Sequence, residues 1–389
     1  MRICGIVAEY NPFHKGHAYH IEQSRRISGA DIVVCAMSGS FVQRGEPAVF
    51  DKWTRAACAV AGGADAVIEL PLLSAIQSAE GFASGGVRQL AAAGITDLCF
   101  GCETDDMELL RRIADTVAGE DQDFKLQLSQ RLAEGHSFAR ARAGAAGMPD
   151  IASMPGAILG VEYLKAIRRV FPHITPHVVL RRGAGYHSDD ISAYLPSATA
   201  IRRALADGQT EQVLTAMPEP CGDIVRRAFS EGLRPVFPHA FDAALLHTLR
   251  LRGASYIASL PDVSEGLENR IFSAAQTCRT REALIRSVKT KRYAYARISR
   301  ILLCALLGVT KDMAAAHNAA PAAYVRVLAV RDASVMSALA AAASVPLITS
   351  AASPFYPALD AAATGVWALS QTAPPYDRAD RDFTQRLLI

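Results

Sequence analysis

Tyr10-Asn11-Pro12-Phe13-His14-Lys15-Gly16-His17 separates the first apolar run, Ile3-Cys4-Gly5-Ile6-Val7-Ala8, from a segment with helical spacing at His20, Ile21, Ser24 and Ile27. The run reads as a buried parallel strand and the spacing as a helix. Asn11-Pro12 is a turn signal, and Gly16 removes a side chain where backbone must come close to a ligand. A strand, a tight turn and a helix N-terminus therefore follow one another. Such a helix points its unpaired N–H groups and the positive end of its dipole at whatever lies above the strand. His14 and His17, one in the turn and one in the first helical turn, would face the same spot. The ligand they suit is an anion. An isolated pair of histidines at this spacing is more often a surface or capping pair; the strand, turn and helix around it give the phosphate reading its weight.

Outward from this point the alternation continues. Asp31 to Met37 reads as a second strand closed by Ser38-Gly39-Ser40, Asp65 to Pro71 as a third, Asp97 to Gly101 as a fourth and His177 to Arg181 as a fifth, with helical patterns between them. That order predicts an α/β fold with a Rossmann-like parallel sheet, helices on both faces and a ligand crevice at the carboxyl ends of the strands. The loop Phe41 to Ala48 reads as a long connection at such an end, where Arg44 could offer its charge to a phosphate or carboxylate. Gly101 falls at another end and would let a nucleotide lie against bare backbone. Arg182-Gly183-Ala184-Gly185-Tyr186-His187 mixes Gly and Arg at a strand end and reads as a further anion-facing loop. Ser197 and Thr199 can cap a helix, carrying Arg202, that opens toward the same place.

The division expected from these patterns is an α/β domain with an anion-binding crevice over 1–234, which the resemblance given below makes the ATP-binding catalytic domain, and a mainly α-helical C-terminal domain over 235–389. Within the second, Arg279, Arg281, Arg286, Lys289, Lys291, Arg292, Arg297 and Arg300 face a single acid, Glu282, and Tyr293 and Tyr295 interleave with them. A basic stripe with aromatic residues, backed by an apolar helix face at Ile298, Ile301 and Leu302, suits a polyanion surface. The alternative is a solvated helical face. Formal net charge is only +3, so nucleic-acid contact has to come from such a local patch. The eight cysteines are scattered, which suits reduced thiols better than a disulfide frame; Cys99-Phe100-Gly101-Cys102 lacks the second ligand pair of a zinc site, so no metal is expected. Ala-rich stretches are broken by charges short of membrane-spanning length. A cytoplasmic protein without membrane contact is expected, of unknown oligomeric state.

The His-x-Gly-His pattern after a first strand resembles the nucleotidyltransferase superfamily that includes the class I aminoacyl-tRNA synthetases. Further segments narrow this. Ala8 through His17, Met37-Ser38-Gly39 with Gln43 to Pro47, Val67 to Pro71, Ile158-Leu159-Gly160, Gly183 to His187 and Lys291-Arg292-Tyr293 together resemble the bacterial tRNA(Met) cytidine acetate ligases. The resemblance implies ATP-dependent activation of acetate as acetyl-adenylate, then acetyl transfer to the exocyclic amine of the wobble cytidine of elongator tRNA(Met), with Mg²⁺ carried by the phosphates. It implies catalytic roles for His14 and His17. It implies an ATP site of Val7, Ala8, Glu9, Tyr10, Asn11, Pro12, Phe13, His14, Lys15, Gly16, His17, His20, Gly101, Gly156, Arg181 and Arg182, with Ser197, Thr199 and Arg202 on the β- and γ-phosphates. The tRNA would meet Arg286, Lys289, Lys291, Arg292, Tyr293 and Arg297. Gly156-Ala157 stands where the family has two asparagines, and Ser40 and Cys102 stand where it has Asn and Ser. Two other readings stay open: an adenylyltransferase for a small phosphorylated cofactor precursor, and a non-catalytic RNA-binding protein with a decayed nucleotide site.

Overall fold

A computed structural model describes residues 1–119, 122–136, 138–147, 154–181, 196–264, 266–291 and 293–389, without the side chains of 138–140. Strands β1 (Ile3–Ala8), β2 (Ile32–Ser38), β5 (Ala66–Leu70), β6 (Asp97–Cys102) and β7 (Thr175–Leu180) lie parallel, with β1 central between β2 and β6. The physical cause is visible in β1 and β2. Cys4, Ile6, Val33, Cys35 and Met37 face one apolar layer, and Ile3, Ile32, Val34 and Ala36 face the other. Strands buried on both faces need no polar alternation, which is why they read as unbroken apolar runs. The helices Lys15–Ser28 and Lys52–Ala61 pack on the first layer, and Ala79–Ala92, Met107–Gly119 and Pro155–Val170 on the second.

Within the long connection at 41–48, β3 (Phe41–Val42) and β4 (Glu46–Pro47) form a small antiparallel hairpin. Helices dominate from 242 to 319, but β8 (Val325–Val330) returns to the sheet, antiparallel to β5, and β9 (Leu347–Ile348) extends it parallel to β8. The sheet is therefore mixed at this edge, in the order β7-β6-β1-β2-β5-β8-β9. One apolar layer runs without a break from Cys35 and Val67 to Leu245, Ile257, Leu284 and Ile301. The helical region shares this core with the sheet; it does not build its own.

Burial of charge locks that return in place. Lys52 on the second helix pairs with Glu69 of β5 and with Asp382 near the C-terminus, each at 2.6 Å, and Arg326 of β8 reaches the same two carboxylates. Tyr356 donates to Glu69 at 3.0 Å. All four charged groups are at most 4% exposed. A balanced buried set of this kind adds little net stability over an apolar core, but removal of one member strands the others. Asp382→Ala leaves Lys52 and Arg326 with a single carboxylate between them. It is expected to cost about 3–5 kcal/mol, read as a lowered midpoint in urea unfolding; a loss below 1 kcal/mol would mean that the C-terminal segment is not held by these charges.

Candidate active site

A cleft of about 710 Å³ opens at the carboxyl ends of β1, β6 and β7. His14 is the N-cap of the Lys15–Ser28 helix, and its Nδ1 accepts from the N–H of Gly16 at 3.1 Å. His17, in the first turn, returns the bond: its Nδ1 accepts from the N–H of His14 at 3.3 Å. This is a capping box made of two imidazoles. Gly16 is required by the close approach, because a Cβ there would lie 2.9 Å from His14 Cε1. An acceptor Nδ1 in a neutral imidazole forces the proton onto Nε2. Both rings therefore present Nε2–H donors, and they lie side by side with centroids 3.8 Å apart. Burial, with Arg181 and Arg202 nearby, presses His14 down to about 3, and burial, with Arg181, presses His20 to about 4. Burial, with His14, His20 and Arg181, holds His17 well below its ordinary value. The free site thus holds neutral rings, and the positive field comes from elsewhere.

That field comes from helix ends and arginines. The N-termini of Lys15–Ser28, Pro155–Val170 and Ala198–Ala206 all border the cleft through Gly16, Pro155, Gly156, Ser197, Ala198 and Thr199. Ser197 caps its helix by accepting from Ala200 N–H at 3.0 Å. Arg44, Arg181 and Arg202 line the same space. Arg202 donates to the carbonyl of Asn11 at 2.7 Å, which ties this helix to the turn that carries the histidines. Asn11 Oδ1 in turn accepts from Val49 N–H at 2.7 Å. Three positive helix ends and three guanidinium groups around one cavity suit a polyphosphate.

Of the residues expected here, Val7, Ala8, Glu9, Tyr10, Asn11, His14, Gly16, His17, His20, Gly101, Gly156, Arg181, Ser197, Thr199 and Arg202 are brought to the cleft. Pro12, Phe13 and Lys15 are not among its lining residues: Phe13 is packed in the core beneath the turn and Lys15 is exposed. Arg182 and the segment Gly183 to His187 lie outside the described residues. Sequence reasoning missed Glu103, Tyr163 and Arg55. Glu103 caps the Pro155–Val170 helix, accepting from the N–H groups of Gly156 and Ala157 at 3.1 Å each, and pairs with Arg181 at 3.4 Å. A Cβ at 156 would lie 2.7 Å from the Glu103 carboxylate and from the Gly101 carbonyl. Gly156 is therefore what lets the Glu103 carboxylate reach this helix end. Arg55, 1% exposed, donates to the carbonyls of Phe50, Glu9, Ser38 and Gly39. Its spacing four residues after the helix cap Asp51 was the only signal.

The basic segment is more mixed than its sequence suggests. Arg279, Arg286, Lys289 and Lys291 are exposed. Arg281 is buried, donating to Gly45 O at 3.0 Å, and Tyr293 is 9% exposed and packed in the core. Arg297 lies against Tyr293 and donates to Asp262 O at 2.7 Å, while Arg292 lies outside the described residues. Tyr293 thus serves packing, because its ring lies behind the cations rather than between them.

A parallel sheet whose first βα turn sets paired histidines in an open, positively lined cleft defines a nucleotidyltransferase. The HIGH nucleotidyl transferase family profile matches residues 1–382. The tRNA(Met) cytidine acetate ligase of Acetivibrio thermocellus is 39% identical with 100% of both chains covered, and that of Caldanaerobacter subterraneus is 40% identical over 80% of each. The TmcAL of Thermotoga maritima superposes in its apo form with a TM-score of 0.91 at 32% identity, and in its form bound with alpha-thio ATP with 0.90 at 31%, covering 100% of both chains in each case. The chain belongs to the tRNA(Met) cytidine acetate ligase family.

The tautomers and their protonation are testable without ligand. Long-range ¹⁵N–¹H correlation spectra of the free protein should show His14 and His17 protonated on Nε2, with no titration of His14 or His20 between pH 5 and 8. Because these rings bind fewer protons folded than unfolded below about pH 6.5, ligand-free stability should fall as pH drops through that value. A His14 transition near pH 6.5 would contradict the desolvated capping box.

Proposed function

We propose that the chain acetylates a tRNA cytidine in two steps. Acetate attacks the α-phosphorus of ATP, giving acetyl-adenylate and pyrophosphate; the exocyclic amine of the wobble cytidine in elongator tRNA(Met) then takes the acetyl group and AMP leaves. The observation that carries the first step is the pair of Nε2–H donors on His14 and His17, set beside Arg181 and Arg202 in one cleft. Acetate is already an anion at neutral pH, so this step needs no base. It needs two anions brought together and the charge on the α-phosphate spread over fixed donors. Preset donors cost no reorganisation when the charge develops.

The remaining groups take supporting roles in this reading. Ser197, Thr199 and Arg202 sit at the helix end that suits the β- and γ-phosphates, and Gly101 leaves bare strand backbone for the nucleoside. Among the described residues no group of three or more His, Cys, Asp or Glu side chains is placed to hold a metal. A Mg²⁺ ion held through the triphosphate would supply neutralisation of the departing pyrophosphate, beside Arg181 and Arg202. The exposed cations Arg286, Lys289 and Lys291, with Arg292, are the candidates for the tRNA backbone.

The decisive assay is incubation with ATP, radiolabelled acetate and total tRNA, followed by separation of tRNA species; label is expected in elongator tRNA(Met) alone. His17→Ala should lower acetate-dependent ATP–pyrophosphate exchange by about 100-fold or more, as loss of one charge-stabilising donor does, with its unfolding midpoint kept near that of the parent. Near-parental exchange in that variant removes His17 from catalysis. Replacing Lys289 and Lys291 together by Ala should spare exchange but flatten the salt dependence of tRNA binding by about two units of log–log slope. An unchanged slope would move the tRNA contact to another face.

A further inference from the structure

Amide formation releases a proton that acetate activation does not consume. The attacking exocyclic nitrogen begins with two hydrogens and ends with one. His14 and His17 are poor acceptors for it, since their Nδ1 atoms already accept backbone N–H and their Nε2 atoms carry hydrogen. His20, held to about 4 by burial and by Arg181, is a weak base. Among the described residues, two carboxylates line the cleft, Glu9 and Glu103. Glu103 has both oxygens engaged, Oε1 by Gly156 N–H and Arg181 and Oε2 by Ala157 N–H.

Glu9 is different. It follows β1 directly, on the floor of the cleft, and its backbone is pinned by Arg55, which donates to its carbonyl at 2.7 Å. Its Oε1 accepts from Gln43 N–H at 2.9 Å, and among the described residues no hydrogen bond is made to Oε2. Burial raises its affinity for a proton; Arg44, Arg202 and the Gln43 N–H oppose this, and Glu46 adds to it. A half-buried carboxylate that lines the cleft, fixed through its backbone and one oxygen with no hydrogen bond to the other among the described residues, has the geometry of a general base. A raised pKa brings such a base closer to neutral pH, where it is most effective.

We propose that Glu9 is the general base of acetyl transfer, resting on the two-step reading above. The amine lone pair forms the new C–N bond to the acetyl carbonyl carbon. Oε2 of Glu9 takes one amine proton, the C–O bond to the adenylate phosphate breaks, and AMP leaves with that electron pair. The proton passes from Glu9 to solvent, and the carboxylate is restored.

Two half-reactions separate this role from support of the site in general: acetate-dependent ATP–pyrophosphate exchange, and single-turnover acetyl transfer from the preloaded enzyme to tRNA. Both are measured on the parent, Glu9→Gln and Glu9→Asp. In Glu9→Gln, transfer is expected to fall at least ~100-fold further than exchange does, and the acid limb of its pH profile should vanish. Glu9→Asp, which keeps a carboxylate, should recover part of the transfer rate and the acid limb. Equal losses in both half-reactions, or transfer in Glu9→Gln at the parental rate with its acid limb intact, overturns the proposal. A parent protein that neither exchanges pyrophosphate with acetate nor labels any tRNA overturns the ligase reading and this proposal together, and that result is visible before any variant is made.

Discussion

One guanidinium holds the floor of the active cleft. Arg55 lies fully inside the protein and gives its hydrogen bonds to backbone carbonyls at the exits of β1 and β2, those of Glu9, Ser38 and Gly39, and to Phe50 at the start of its own helix. Burying this charge costs several kcal/mol, and burial brings the group down to about 10, which still leaves it cationic at neutral pH. What the cost secures is a fixed departure of the chain from two neighbouring strands. The turn Tyr10 to His14 leaves from one of those carbonyls and the hairpin 41–47 from the others. Were either exit free to drift, the reciprocal bonds between His14 and His17 would lose their register.

The electrostatics of the cleft follow from that frame. Its histidines are neutral and serve as donors, not as charges, because burial and the neighbouring positive groups both work against their protonation. Positive potential is supplied by arginines and by helix N-termini, whose N–H groups are fixed and cannot be lost to deprotonation. Each of the three helix ends carries a side-chain cap, His14 at Gly16, Glu103 at Gly156 and Ala157, and Ser197 at Ala200, and of these caps only Glu103 brings a carboxylate.

The helical region reaches the cleft through the hairpin. Ser299 donates to the carbonyls of Arg44 and Gly45 at 2.6 and 3.0 Å, and Arg281 donates to Gly45 O. On the other side of the same hairpin, Gln43 N–H holds Glu9. Two hydrogen-bonded steps thus connect the helices of the basic segment to the carboxylate in the active cleft. The shared apolar layer beneath them makes the connection stiff.

Local sequence patterns determined a good deal of this protein. The apolar runs of β1, β2, β5, β6 and β7 and the turn before His14 are statements about period and backbone preference, so neighbouring residues suffice to read them. The paired histidines are legible for the same reason, since a cap and a first-turn residue always share a face. What only the tertiary structure decided lies at long range. Arg326 finds Glu69 more than 250 residues away and carries β8 back to the sheet, a pairing that no local pattern encodes. Glu103 meets Gly156 at the cleft, and Tyr293 and Arg281, which read as partners for a polyanion, turn inward, Tyr293 into the apolar core and Arg281 to the Gly45 carbonyl. A charge's role depends on whether its partner is water or protein, and that is settled by packing rather than by its neighbours in the chain.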